Sequence, residues 1–274
     1  MVIHSFPFAV RLIGFAPHEE ELFEAAFTTE QRKGCGYFRL VEGNLQDPDI
    51  YIANADELRA LVTLADLRPS EVRPALLVGT SDVELPYARI ERPLNQHKLF
   101  AALGELMEKR ADALSRLEAS NVVMVPERRR RNRLDLDLTD PAEYEKMRAK
   151  VQDNGVVLVI DKNPALRDHL AGLLARQNVR IAWGSDEMKA AELCNRQPAA
   201  VVLINTSTPD VDPYRLCRTI KTRNASLRIA VVFLISKPFV YDLQQANDAG
   251  ADGFLNKPLA SHHLISVLKK FMPL

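Results

Sequence analysis

From residue 156 onward the chain alternates short, wholly apolar runs with amphipathic stretches, and this limits the folds open to it more than any other feature. VVLVID (156–161) is a continuous apolar run ending in a polar residue, the pattern of a strand buried on both faces. ALRDHLAGLLARQN follows, with Leu166, Leu170, Leu173 and Leu174 on one helical stripe. VRIAW (179–183), AAVVLIN (199–205), IAVVFLI (229–235) and DGFL (252–255) supply four more strands. Between them lie helical patterns: DEMKAAELCNR with Asp186 and Glu187 at its positive end, PYRLCRTIKTR opening on Pro213, FVYDLQQANDAG closing on Gly250, and finally SHHLISVLKKFM. Strands that alternate with helices pair in parallel through right-handed crossovers. Residues 154–274 are therefore expected to form a doubly wound α/β domain.

The first half follows the same plan more loosely. FAVRLIGF (8–15), YFRLVEG (37–43), DIYIAN (49–54), PALLVGT (74–80) and YARIERPL (87–94) read as strands. HEEELFEAAFT, ADELRALVTLADL and the long NQHKLFAALGELMEKRADALSRLEA read as helices. Only six residues, Ser81 to Pro86, separate the fourth and fifth strands, too few for a helix and its turns. The expected division is a domain over 1–120, a linker over 121–153 with a short helix begun at Pro141, and a domain over 154–274.

Composition agrees with two globular units: 274 residues, 47% hydrophobic and 26% charged. The longest clean apolar run, Ile229 to Ile235, is seven residues, against the ~20 that a membrane span needs. The opening MVIHSFPFAVRL lacks a basic region followed by a long apolar one, so a cytoplasmic protein is expected. Cys35, Cys194 and Cys217 are odd in number, widely spaced and without a nearby His, so neither a disulfide frame nor a zinc site is expected. Net charge is zero, but residues 1–120 carry 13 Lys+Arg against 19 Asp+Glu, and residues 154–274 carry 15 against 10. Halves of net −6 and +5 can attract each other within one chain or across a dimer.

VLVIDKNPALRDHL, VVLINTSTPDVDPYRLCRTIK and AGADGFLNKPL together resemble the bacterial response-regulator receiver (CheY-like) domain over residues 154–274. The first half resembles a receiver that has lost its fourth helix, with Arg92-Pro93 at the receiver's Lys-Pro position. The resemblance implies two CheY-like, doubly wound, five-stranded parallel-sheet domains. It also implies a chemistry: an Asp ending the third strand attacks a phosphoryl group, a Mg²⁺ held by that Asp and an acidic pair neutralises charge, and a Thr/Ser and the Lys of Lys-Pro reach the phosphoryl oxygens.

Both halves depart from that pattern. In the second, Asp161 remains of the acidic pair but Lys162 replaces its partner, Asn205 stands at the acceptor position, Ile235 or Ser236 at the hydroxyl position, and Lys257 is kept. An amide cannot attack phosphorus as a carboxylate does, and Lys162 is expected to pair with Asp161 in the metal's place. In the first, Gly14 and Phe15 replace the acidic pair, Asn54 stands at the acceptor position, Thr80 survives and Arg92 replaces Lys. Asn54 and Asn205 are expected to hydrogen-bond the loops at the strand ends.

Outside the domains, Arg128, Arg129, Arg130, Arg131 and Arg133 form the one concentrated charge run. A basic linker docked on the acidic first half is the plain reading. Forked guanidinium groups also bind phosphates and stack on purines, and ERRRRNRLDLDL is similar to the opening of a PilZ domain. That likeness implies cyclic di-GMP at Arg129 and Arg133, with Asp135 and Asp137 on guanine edges. The D/N-x-S-x-x-G motif of PilZ is absent. Nucleic acid is disfavoured because the run carries no aromatics for stacking. His262 and His263 are adjacent, expected on different faces of a helix start and not as a metal pair.

These readings point to a non-enzymatic bacterial signalling adaptor that works through protein partners without phosphorylation, metal or a required cofactor. The receiver surface of fourth helix, fifth strand and fifth helix would meet those partners. Alternatives are a cyclic di-GMP effector and a dimerisation scaffold, a homodimer forming through Leu99, Leu103 and Leu106 of the long helix.

Overall fold

The computed structural model describes residues 6–30, 36–80, 83, 85–119, 155–175, 177, 179–196, 199–223, 229–236 and 239–272. The linker, its expected helix and the arginine run lie outside them.

The first half is one parallel sheet, β1 (Phe8–Ile13), β2 (Tyr37–Arg39), β3 (Ile50–Asn54), β4 (Ala75–Val78) and β5 (Ala88–Ile90), in the order β2-β1-β3-β4-β5. Helices α1 (Pro17–Glu30) and α3 (Gln96–Ala119) cover one face, where Val10, Ile50, Ile52 and Leu76 meet Phe23, Phe27, Leu99 and Leu103. Helix α2 (Leu58–Leu67) covers the other through Ala60, Leu61 and Leu64. No helix lies between β4 and β5 among the described residues, as expected. None lies between β2 and β3 either: residues 40–49 are irregular. With two crossover helices gone, α2 stands alone on its face, and Leu58 and Val62 are exposed at 69% and 56%. Leu99, Leu103 and Leu106 belong to the domain's own core on the opposite face, so they are not available for the expected dimer.

The second half repeats the plan in full. β6 (Val156–Ile160), β7 (Arg180–Gly184), β8 (Ala199–Asn205), β9 (Ala230–Ile235) and β10 (Gly253–Asn256) form a parallel sheet in the order β10-β9-β8-β6-β7. Helices α5 (Glu187–Arg196), α6 (Pro213–Arg223) and α7 (Leu243–Ala249) lie over Leu158, Val202, Val231 and Phe233. On the opposite face α4 (Ala165–Leu173) and α8 (Ser261–Phe271) lie over Val157, Leu203, Val232 and Leu255. Each central strand is buried on both sides, which is why its sequence is continuously apolar. Helix α7 shows the local logic: the Asp242 side chain accepts from Gln245 N–H at its start, and Gly250, at φ 78°, closes it.

The two halves meet through the irregular segment 40–49. Phe254 N–H donates to Gly43 C=O and Phe254 C=O accepts from Leu45 N–H, both at 2.9 Å, so the segment continues the second sheet past its edge strand β10. Asn256 N–H donates to Gln46 Oε1 at 3.1 Å. Lys270 Nζ donates to Leu45 C=O at 2.8 Å and reaches Asp47 Oδ1 at 3.3 Å, and Ser266 Oγ donates to the same carboxylate. An acidic side chain of the first half thus meets a basic one of the second within one chain, in the sense of the opposed charges.

Candidate functional site

In an open parallel sheet the functional crevice lies beyond the carboxyl ends of the strands. Both sheets bring the sequence-predicted residues together there, with different results.

In the first half the crevice is filled by Arg92, which follows β5. Its guanidinium donates to Asp56 Oδ2 at 2.8 Å and to Asn54 Oδ1 at 3.2 Å, and pairs with Glu19 at the start of α1. Asn54 is buried; its Nδ2 donates to Gly14 C=O at 2.9 Å and its Oδ1 accepts from Asp56 N–H at 3.2 Å. Thr80 donates to Asp56 Oδ1 through its backbone N–H at 2.7 Å and its hydroxyl at 3.3 Å. Gly14 has φ +75°, and a Cβ there would lie 2.4 Å from Ala60 Cβ, so no acidic pair fits at this position. The Arg92 hydrogen bond leads the effects that hold Glu19 below its ordinary pKa, and the Glu19 hydrogen bond leads those that raise Arg92. Asn54, Thr80 and Arg92 are where the sequence places them. Glu19 and Asp56 were missed, although an acid two residues past Asn54, opposite an arginine at the Lys-Pro position, is a legible sign of a closed charge cluster.

The second crevice is less tightly tied. Asp161 is buried, its Oδ1 accepts from Asn163 N–H at 3.2 Å, and its C=O accepts from Trp183 Nε1 at 2.8 Å. Asn205 is buried too, and its Oδ1 accepts from Ser207 N–H at 3.2 Å. Lys162 corrects an expectation: the chain turns after Asp161, Lys162 is exposed, and the two form no ion pair. Ile235 is the last buried residue of β9, so Ser236 supplies the hydroxyl, hydrogen-bonded to Ser207 Oγ at 2.5 Å. Lys257 lines a cavity of about 700 Å³ that also reaches Tyr37 and Arg39 of the first half.

The expected partner surface is not free. Its fifth strand is β10 and its last helix α8, and segment 40–49 lies against both. The two histidines open α8, one exposed and one buried, as adjacent residues on different faces do. Their ring centroids lie 4.0 Å apart with the planes tilted by 43°, His263 is buried and His262 exposed, and each Nε2 lies 3.8 Å from an oxygen of Asp49. Arg128, Arg129, Arg130, Arg131, Arg133, Asp135 and Asp137 lie outside the described residues.

The second half is a doubly wound α/β domain with Asp161, Asn205, Ser236 and Lys257 beyond the ends of its strands. Residues 157–269 match the family model of the response regulator receiver domain. The response regulator MprA of Mycobacterium sp. (strain KMS) is 30% identical over 117 residues, which are 42% of this chain and 50% of that protein. The sensor histidine kinase RcsC of Escherichia coli is 27% identical over 129 residues, 46% of this chain and 13% of that protein. The chain thus spans about half the length of the MprA proteins that it matches. Among solved structures, the receiver domain of the sensor histidine kinase PA1611 from Pseudomonas aeruginosa is 21% identical, covering 43% of this chain and 96% of that one, with a TM-score of 0.38. No helix among the described residues is long and apolar enough to cross a membrane.

Proposed function

We propose that the chain is a non-enzymatic bacterial signalling adaptor whose two receiver-like domains act through protein partners without being phosphorylated. The carrying observation is that both acceptor positions hold a buried asparagine whose side chain is committed to its own loop: Asn54 to Gly14 and Asp56, Asn205 to Ser207. The Arg92 cluster supports the same reading, because Asp56 already occupies the Thr80 and Arg92 donors that an incoming phosphoryl group would need. With β10 and α8 covered from within the chain, partners are met through other surfaces.

The test is chemical inertness. Acetyl phosphate, or beryllofluoride with Mg²⁺, is expected to leave the intact mass and melting temperature of the full chain unchanged. A phosphoryl adduct on Asp161, or stabilisation that requires Mg²⁺, overturns the proposal.

The arginine run supports a second reading, a cyclic di-GMP effector. Replacing Arg129 and Arg133 with Ala is then expected to weaken nucleotide binding about a hundredfold, roughly 2.7 kcal/mol, by calorimetry. Absence of heat from the unmodified chain at ~100 μM nucleotide, far above a micromolar Kd, removes it.

A further inference from the structure

Where the two halves meet, three potential metal ligands converge that neither half could assemble alone. Asp49 leads into β3 of the first half, while His262 and His263 open α8 of the second. His262 Nε2 lies 3.8 Å from Asp49 Oδ1 and His263 Nε2 lies 3.8 Å from Asp49 Oδ2. One ligand atom from each of the three falls within 4.8 Å of the others. We propose that Asp49, His262 and His263 form a zinc site that ties the first half of the chain to the second.

Several observations carry this. At 3.8 Å each imidazole Nε2 is beyond hydrogen-bond distance from the carboxylate, yet both rings bring the same nitrogen close to it, one to each oxygen. That is the arrangement of ligands around a shared cation. Tetrahedral zinc, with Zn–N and Zn–O of about 2.0–2.2 Å, sets neighbouring ligand atoms roughly 3.4 Å apart. Each histidine nitrogen lies within a few tenths of an ångström of that spacing from one carboxylate oxygen, while the set as a whole, spread over up to 4.8 Å, has to contract further, which the exposed His262 side chain allows. His263 is 4% exposed at its side chain, and its Nδ1 is buried without a partner. A cation on Nε2 would engage this buried ring and leave Nδ1 as its protonated nitrogen.

The rest of the pocket is compatible. Asp49 is ionised: burial opposes its charge, but His262, the Ala9 N–H and Arg110 outweigh it and hold its pKa low. Arg110 donates to Oδ1 at 2.6 Å and Ala9 N–H to Oδ2 at 2.9 Å, which fixes the carboxylate and leaves one lone pair on each oxygen. Asp47 adds a second negative charge beside His263 and offsets Arg110. The exposed side of His262 leaves room for water as a fourth ligand. An imidazole–carboxylate set suits zinc, with copper and nickel as stronger competitors on affinity grounds.

The experiment titrates chelator-stripped full chain with ZnCl₂ by calorimetry, follows the melting temperature, and repeats the titration with Co²⁺ to read its visible ligand-field absorption. One zinc per chain is expected, with a higher melting temperature that EDTA reverses. His262→Ala, at a position 61% exposed on its side chain and so tolerant of truncation, is expected to weaken binding at least tenfold and abolish the Co²⁺ band. Absence of binding by the unmodified chain at ~100 μM zinc, far above a micromolar Kd, overturns the proposal. So does equal affinity in His262→Ala, which would place the metal elsewhere.

Discussion

The carbonyl oxygen of Gly43 lies 2.6 Å from the point where a Cβ on Gly253 would stand. Gly253 opens the edge strand of the second sheet at φ +144°, and Gly43 belongs to the segment of the first half that extends that sheet. The two backbones approach this closely only because residue 253 has no side chain. Gly253→Val is expected to part the two halves, raising the radius of gyration in solution scattering. Since a valine also strains β10, Asp47→Ala is the companion: it leaves β10 intact, removes the acceptor of Ser266 and Lys270, and should shift scattering the same way, more at low salt than at high.

The two buried thiols define a second expectation. Burial pushes Cys194 up to about 11 and, as the leading effect, Cys217 up to about 12. At pH 8 the reactive thiolate is therefore scarce at both, and Cys217 Sγ also donates to Ala249 C=O at 3.3 Å. Peptide mass mapping after iodoacetamide treatment is expected to find Cys194 and Cys217 unmodified in the folded chain and modified in denaturant. Native-state labelling of Cys217 at the denatured rate would show that the α6–β9 core opens readily.

Restoring receiver chemistry to the first half is expected to fail at its first step. Gly14→Asp adds a Cβ 2.4 Å from Ala60 Cβ at a residue with φ +75°, so β1 or α2 must shift. Destabilisation of about 1–3 kcal/mol is expected, from steric strain and unfavourable backbone conformation together, measured by urea unfolding. Gly14→Ala should share most of that loss, since the clash begins at Cβ; an Ala variant of unchanged stability would refute this account.

Much of this fold was legible because burial on both faces writes itself into a strand. VVLVI, AAVVLI and AVVFLI can be little else once amphipathic stretches separate them, and the short β4–β5 connection reveals its missing helix by length alone. The β2–β3 connection is likewise too short for a helix, but nothing in residues 40–49 announces that they pair with β10 of the other half. Position-by-position reading likewise found Asn54, Asn205 and Arg92. It passed over Asp56, which its place two residues past Asn54 makes legible, and Glu19, whose role arises from where α1 begins relative to β5. Lys162 was misplaced because a sequence position next to Asp161 says nothing of the turn that directs its side chain to solvent.

Arg92 supplies the last expectation. One guanidinium serves Glu19, Asp56 and Asn54 from a side chain 38% exposed, so solvent screens much of its charge and the planar fork carries its value. Arg92→Ala is expected to destabilise the first half by about 1 kcal/mol, a figure discounted for exposure. Arg92→Lys should recover only part of that, because a single ammonium cannot span three acceptors. The pH dependence discriminates further. Glu19 has a folded pKa below its unfolded value of about 4.3, so its contribution is fully present above that value and is lost as pH falls through the folded one. The gap in stability between the unmodified chain and Arg92→Ala should therefore be constant from pH 7 down to about 5 and narrow in more acid solution. Urea unfolding at a series of pH values reads this directly. A gap that stays constant to pH 3 would mean that Arg92 acts through packing, and that the cluster around Asn54 is not held by charge.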